Sequence, residues 1–235
     1  MAVAIDAINT GDASTLSGTT LTNTNLTVGS GANRILLAGI LFSSALPTIT
    51  AFQWDAAGTP QNLTLVPGTS FTSSTLSGAI YAVVAPTTGN KQLKITWTGT
   101  KEASLGCASF TGASQAAIAT SCPNGVNSTG TSATPNTVVT SATGDMVFGI
   151  FNDLTSVFTT TTGTSVWINN TQINQNAAGA YVAGASSVTL TYNSNASDTW
   201  RSAGCDILAV SSAAQTFTFG PQWHEGYFET ELVSY

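Results

Sequence analysis

The sequence predicts an all-β chain: an antiparallel two-sheet sandwich, jelly-roll-like, followed by a C-terminal extended arm. Three observations carry this. Helix-forming patterns are almost absent, short β-branched and aromatic runs recur between turn residues, and the two halves of the chain carry similar series of runs. The chain has 235 residues, with 40 Thr and 26 Ser. Thr, Ser, Asn and Gly dominate, and all are mediocre or poor helix formers. Hydrophobic residues make up 42% of the chain, enough for a sizeable core, while only 7% of residues are charged. Disorder goes with low hydrophobicity and high net charge, so this composition argues for a folded chain.

Runs bounded by Gly, Pro, Asn and Ser predict strands near 2–8, 24–28, 34–43, 47–54, 62–66, 76–84, 91–98 and 102–110. In the second half they predict strands near 136–141, 144–152, 164–168, 178–183, 187–192 and 200–210. Alternation is cleanest in Leu93-x-Ile95-x-Trp97 and Val188-x-Leu190-x-Tyr192, each with one core face and one polar face. The run Ile35 to Phe42 does not alternate. It reads as a central strand covered on both faces, or as one at a subunit interface.

The halves match in order and character. Arg34 to Phe42, Leu93 to Trp97 and Leu105 to Phe110 correspond to Asp145 to Phe151, Val188 to Tyr192 and Ala203 to Leu208. This alignment places Cys107 opposite Cys205 and predicts equivalent buried positions for them. Two similar sets of strands suit one jelly roll built from two Greek keys. Two tandem small sandwiches are the alternative. One sandwich over 1–210 is preferred, because each half shows too few strands to bury both faces of its own sheet. The three cysteines form no C-x-x-C pair and read as small buried hydrophobes, with no disulfide expected.

Residues 211–235 read as a short linker and an arm. From Gln215 to Tyr235 there are six of the chain's 20 aromatics, three of its four Glu, its only His, and no Lys or Arg. Phe217, Phe219, Trp223, His224, Tyr227 and Phe228 are the candidate partner-docking residues. Aromatics bury large areas at low entropic cost and anchor interfaces.

Catalytic patterns are missing. The one imidazole, His224, falls in the arm, so no Ser-His-Asp or Cys-His site can be assembled in the body. The 11 acidic residues are scattered, with Asp12, Asp55, Asp153 and Asp198 assigned to turns. That suits neither glycoside hydrolysis nor transfer chemistry. No phosphate-binding loop, dinucleotide fingerprint, zinc pattern or EF-hand loop is present. No cofactor and no metal is expected, and the expectation is a protein that is not an enzyme. Five cations against a net charge of −6 leave no surface for nucleic acid. The longest apolar run, eight residues, is too short to span a bilayer, so no membrane insertion is expected. Sequons at Asn25, Asn62, Asn127, Asn169 and Asn195 are expected by chance in so Asn- and Thr-rich a chain. Trp54, Trp167 and Trp200, each with Asp or Asn close by in sequence, are the candidate glycan contacts.

The segments Met1 to Ala7, Gly31 to Ile40, Leu93 to Ala113 and Ala196 to Gly204 resemble small β-rich virion-associated proteins of phage and metagenomic genomes. The resemblance spans about residues 1–210 and leaves out the arm. It implies a non-enzymatic virion component: a tail fibre, a head decoration or a receptor-binding appendage. It implies other virion subunits as partners, self-assembly into a homo-oligomer, and a host-surface glycan as a further ligand. Met1 leads into Ala-Val-Ala-Ile-Asp with no basic region or cleavage pattern, which suits synthesis in a host cytoplasm and display on a particle surface. A bacterial filament subunit or adhesin, and a carbohydrate-binding module, are the rival expectations.

Overall fold

The computed structural model describes residues 1–9 and 13–211. The first half contributes β1 (Ala4–Ile8), β2 (Ala13–Asn23), β3 (Thr27–Val28), β4 (Ile35–Phe42) and β5 (Ile49–Trp54). It continues with β6 (Gln61–Asn62), β7 (Thr64–Leu65), β8 (Ser77–Val84), β9 (Gly89–Asn90) and β10 (Leu93–Thr111). A single helical turn, α1 (Ile118–Ser121), leads to the second half. That half holds β11 (Val126–Ser132), β12 (Asn136–Thr140), β13 (Met146–Asp153), β14 (Phe158–Thr161), β15 (Thr164–Asn169), β16 (Asn176–Ala183), β17 (Ser187–Ser194) and β18 (Asp198–Ile207). Every strand pair is antiparallel. No helix among the described residues is long and apolar enough to cross a membrane.

The all-β antiparallel sandwich expected from sequence is found among the described residues, while the expected C-terminal arm lies outside them; the jelly-roll order occurs twice. In the second half one sheet runs β11-β18-β13-β16-β15 and the other β12-β17-β14. Counted along that half, this is first-eighth-third-sixth-fifth in one sheet and second-seventh-fourth in the other, the order of a jelly roll except that the fifth strand pairs with the sixth. The first half repeats it with two long strands, β2 and β10, each serving both sheets. Its β2 pairs with β10 at Ala13–Leu105 and again at Asn23–Leu93, doing the work of both β11 and β12. Its β10 does the work of both β17 and β18, pairing with β5 near its start and with β4 near its end. Gly99, at φ +71°, lets this strand bend from one sheet into the other without ending. The sequence reading placed a turn there.

Four layers result. The two large sheets meet face to face, and each carries its own small sheet outside. β4 shows why its run does not alternate: all eight residues are buried. Its odd-numbered face, with Ile35, Leu37 and Leu41, joins Phe148, Ile150 and Cys205 of the second half in a shared core. Its even-numbered face, with Leu36, Ile40 and Phe42, packs on Phe52, Ile95 and Trp97 of its own small sheet. β8 packs against β18, β10 against β16 and β4 against β13, so corresponding strands of the two halves meet reciprocally. The premise that each half lacks strands fails, since 13–23, 126–132 and 158–161 were not expected as strands and complete the sheets.

The cysteine alignment is corrected by the same geometry. Cys107 and Cys205 are both fully buried on corresponding strands. Yet Cys107 faces its own small sheet and Cys205 faces the shared core. A one-residue slip exchanges the faces of a strand, so the motif match is off by one position. All three cysteines are free and buried. Burial pushes the Cys107 thiol up to about 12. A thiol reagent should therefore find no reactive cysteine in the folded protein and all three after denaturation. Rapid labelling of the folded chain would contradict the packing.

Candidate functional site

The three tryptophans proposed as glycan contacts are packing residues. Trp54 is fully buried, and its indole N–H donates to the Thr87 carbonyl at 2.9 Å. Trp200 is 5% exposed, lies over Gly130, and donates to the Ser132 hydroxyl at 2.9 Å. Trp167 is wedged between the large sheets against Gly39, Gly106 and Gly179, and its indole N–H has no partner. None presents a ring face on which a sugar could stack. Large apolar area drew each ring inward, and the nearby acids are engaged elsewhere, Asp55 with Lys91 and Asp198 with the Thr155 N–H. The docking candidates Phe217, Phe219, Trp223, His224, Tyr227 and Phe228 lie outside the described residues.

The structure brings other residues together where the sandwich edge of the first half is thin. There the fifth strand of the jelly roll is split in two. β6 pairs with β5 through Gln53–Asn62 and Trp54–Gln61, and β7 pairs with β8 through Thr64–Ala82 and Leu65–Tyr81. Leu63, between them, turns into the core. A groove lies on either side. The first, of about 340 Å³, is lined by Thr50, Phe52, Gln53, Asn62, Leu63 and Tyr81 among others. The Tyr81 ring tilts against Phe52 with centroids 5.1 Å apart, and the Gln53 amide donates to Asn62 Oδ1 at 3.0 Å. Burial raises the Tyr81 phenol above its ordinary value. The second groove, of about 420 Å³, is lined chiefly by Ala82, Val83, Val84, Ala117, Ile118 and Ala119. Neither lining includes a carboxylate, imidazole or thiol. An aromatic ring, two amides and a hydroxyl can stack and hydrogen-bond a neutral polar ligand. The second groove suits an apolar group.

The sequence reading missed Tyr81 because Gly78-Ala-Ile-Tyr-Ala-Val-Val84 reads as a core run. Only its register opposite Leu65, at the split strand, puts the ring at the groove rim.

Carboxylates gather in pairs elsewhere. Asp55 forms the one ion pair among the described residues, with Lys91 at 3.3 Å. Asp153, at the end of β13, is buried and accepts hydrogen bonds from the Ser156 N–H at 2.9 Å and the Ser194 hydroxyl at 3.3 Å. Burial pushes it up to about 6, with the nearby Asp198 charge adding to the shift. Burial also acts upward on Asp198, but hydrogen bonds from the Thr155 hydroxyl and from the Thr199 and Thr155 N–H groups hold it below its ordinary value. At the other end of the same sandwich, Asp206 accepts from the Ser141 hydroxyl at 2.7 Å. Burial, with Asp145 close by, pushes Asp206 up to about 6 as well. Among the described residues no three His, Cys, Asp or Glu side chains come close enough to share a metal ion.

These two raised carboxylates make stability depend on pH. In the unfolded chain both titrate near the ordinary Asp value of about 3.9. Between roughly pH 4 and pH 6 the folded state therefore binds more protons, and stability falls as pH rises through that window. Each Asp costs roughly 1–2 kcal/mol above pH 6 after allowance for solvent screening. The thermal midpoint should be higher at pH 5 than at pH 7.5. Asp206→Asn should raise the midpoint at pH 7.5 and flatten the profile. A profile that rises from pH 5 to 7.5 would contradict the assignment.

One acidic residue joins the two halves. Glu102 is 6% exposed, and its carboxylate accepts from the N–H groups of Ile173 at 2.7 Å and Asn174 at 3.1 Å. The Asn174 amide at 2.7 Å and the Ser43 hydroxyl at 3.3 Å complete its set. Close by, the Asn152 amide of β13 donates to the carbonyls of Phe42 at 3.1 Å and Ser77 at 3.2 Å. One end of the apolar interface is thus closed by polar groups reaching across it.

The sequence matches no model of a known protein family, and a search of curated proteins gives no match either.

Proposed function

We propose that the chain is a non-enzymatic structural subunit of a bacteriophage virion exterior: a head decoration, tail fibre or receptor-binding appendage that assembles through subunit contacts. The observation that carries this reading is the pair of jelly rolls fused through one dry core. Jelly rolls serve widely as capsid and lectin domains, where a rigid body must present surface. Few charges and hydroxyl-rich outer strands suit a hydrated exterior whose task is contact. The resemblance of residues 1–210 to virion-associated proteins points the same way. The test is immunogold microscopy of native particles with antibody against the purified chain. Gold on a capsid or tail is expected. Gold on bacterial filaments, or none on particles, overturns the reading.

A second reading, carbohydrate recognition, is favoured by the groove at Tyr81, Gln53 and Asn62. A glycan array on the purified protein tests it. Binding lost in Tyr81→Ala supports it, and binding unchanged by that substitution places any glycan site elsewhere.

A further inference from the structure

The apolar groove at α1 lies beside the point where the described chain ends. Its walls are the last residues of β8 (Ala82, Val83 and Val84) and the helical turn with Ala117, Ile118 and Ala119. The final described segment is tied directly to that turn. The Leu208 N–H donates to the Ser121 carbonyl at 2.9 Å, and the Ser114 N–H donates to the Leu208 carbonyl at 2.8 Å. The Val210 N–H then donates to the Gly112 carbonyl at 2.8 Å. Phe217 follows Ser211 by six residues, a reach of about 20 Å if extended. The turn itself is only four residues, about 6 Å, long. The first aromatic of the segment can therefore reach the groove of its own chain without a neighbour.

Charge agrees with reach. Arg34 lies outside the groove lining but next to its β8 wall: its carbonyl accepts from the N–H of Ala85, the residue after Val84, at 2.8 Å. Its guanidinium donates to backbone carbonyls, those of Gly31 at 2.6 Å and Pro86 at 3.2 Å. No carboxylate among the described residues pairs with it. The segment 215–235 carries Glu225, Glu229 and Glu231 and no cation, while all five Lys and Arg lie in the body.

We infer that the groove between β8 and α1 is the seat of residues 215–235 of the same chain, with Phe217, Phe219 and Trp223 entering it and the Glu residues facing Arg34. Tethering favours this seat over a neighbour's. A segment attached beside its site meets it at an effective concentration in the millimolar range, well above that of a free partner. The inference is independent of what particle the subunit belongs to.

The test uses the full-length chain. Ala117 is exposed at the groove wall, and the three native cysteines are fully buried. In Ala117→Cys the introduced thiol is then the one a maleimide can reach, and its rate reports cover. Thr189→Cys, on the exposed face of β17, supplies the uncovered reference. The thiol at 117 should react about tenfold more slowly than the reference, independently of protein concentration. Adding Phe217→Ser, Phe219→Ser and Trp223→Ser should abolish that protection while leaving the reference rate unchanged. Equal rates with and without the aromatics overturn the inference. Protection that grows with protein concentration places the segment of a second copy in the groove and overturns the same-chain seat, while favouring assembly through that segment.

Discussion

Trp167→Ala should lower stability by about 4 kcal/mol, the range for removing a large buried aromatic. Its ring fills a slot made by three glycines from three strands. A Cβ on Gly39 would come within 3.0 Å of the ring, one on Gly106 within 2.1 Å, and one on Gly179 within 1.9 Å. Phe148 lies alongside, with centroids 6.3 Å apart. The indole N–H has no partner, so the loss is one of packing and no hydrogen bond enters it. Three absent side chains leave nothing able to relax into the space, which puts the cost toward the upper part of the range. Calorimetry should show the midpoint falling by roughly 8–16 °C. Gly106→Val, which fills the slot from the opposite wall, should be destabilising to a similar degree. A midpoint within about 2 °C of wild type for Trp167→Ala would mean the large sheets close over the space.

Glu102→Ala should cost about 2 kcal/mol, because it removes hydrogen bonds to a charged acceptor that ties the two halves. The N–H groups of Ile173 and Asn174 and the Asn174 amide would lose their charged acceptor, although both residues are themselves exposed and water can replace part of it. Glu102→Gln should cost less, since the remaining amide oxygen still accepts from the backbone while its NH₂ opposes the Asn174 amide. Hydrogen exchange locates the effect. The amides of Ile173 and Asn174 should exchange faster in Glu102→Ala, while those in β17 stay protected. Unchanged exchange at 173 and 174 would remove Glu102 from the role of clamp.

What the sequence made legible follows from which residues carry apolar side chains. β4, β10, β13, β17 and β18 were found because their inward residues are large and apolar and their neighbours are turn formers. β2 and β11 were not, and the reason is common to both. The sequences ASTLSGTTLTN and VNSTGTS contribute backbone pairing at an edge and few core side chains. Thr and Ser in such a strand look the same as Thr and Ser in a loop. Missing them hid the second jelly roll, and with it the reason the halves resemble each other. The Trp residues were legible as strand-end aromatics, but their direction was not. Facing one sheet or another depends on register, which a bulge such as that between Ser165 and Trp167 resets. Glu102 stood out as the one Glu of the body, and its partners 71 and 72 residues away could be found only in three dimensions.

The shared core has a consequence for how the protein is made. The first jelly roll can pair all its strands once Thr111 has left the ribosome. Its outward Ile35, Leu37, Leu41, Ile80 and Phe110 then have nothing to cover them. The residues that will do so, Phe148, Ile150, Trp167 and Cys205, are delivered progressively up to β18. At translation rates of about 5–20 residues per second, that apolar face stays bare for roughly 5–20 s per molecule. Nascent chains on neighbouring ribosomes present the same bare apolar face during that interval. The yield of correctly assembled protein should therefore be set by translation speed and by chaperones that shield one sheet, more than by the stability of the finished fold.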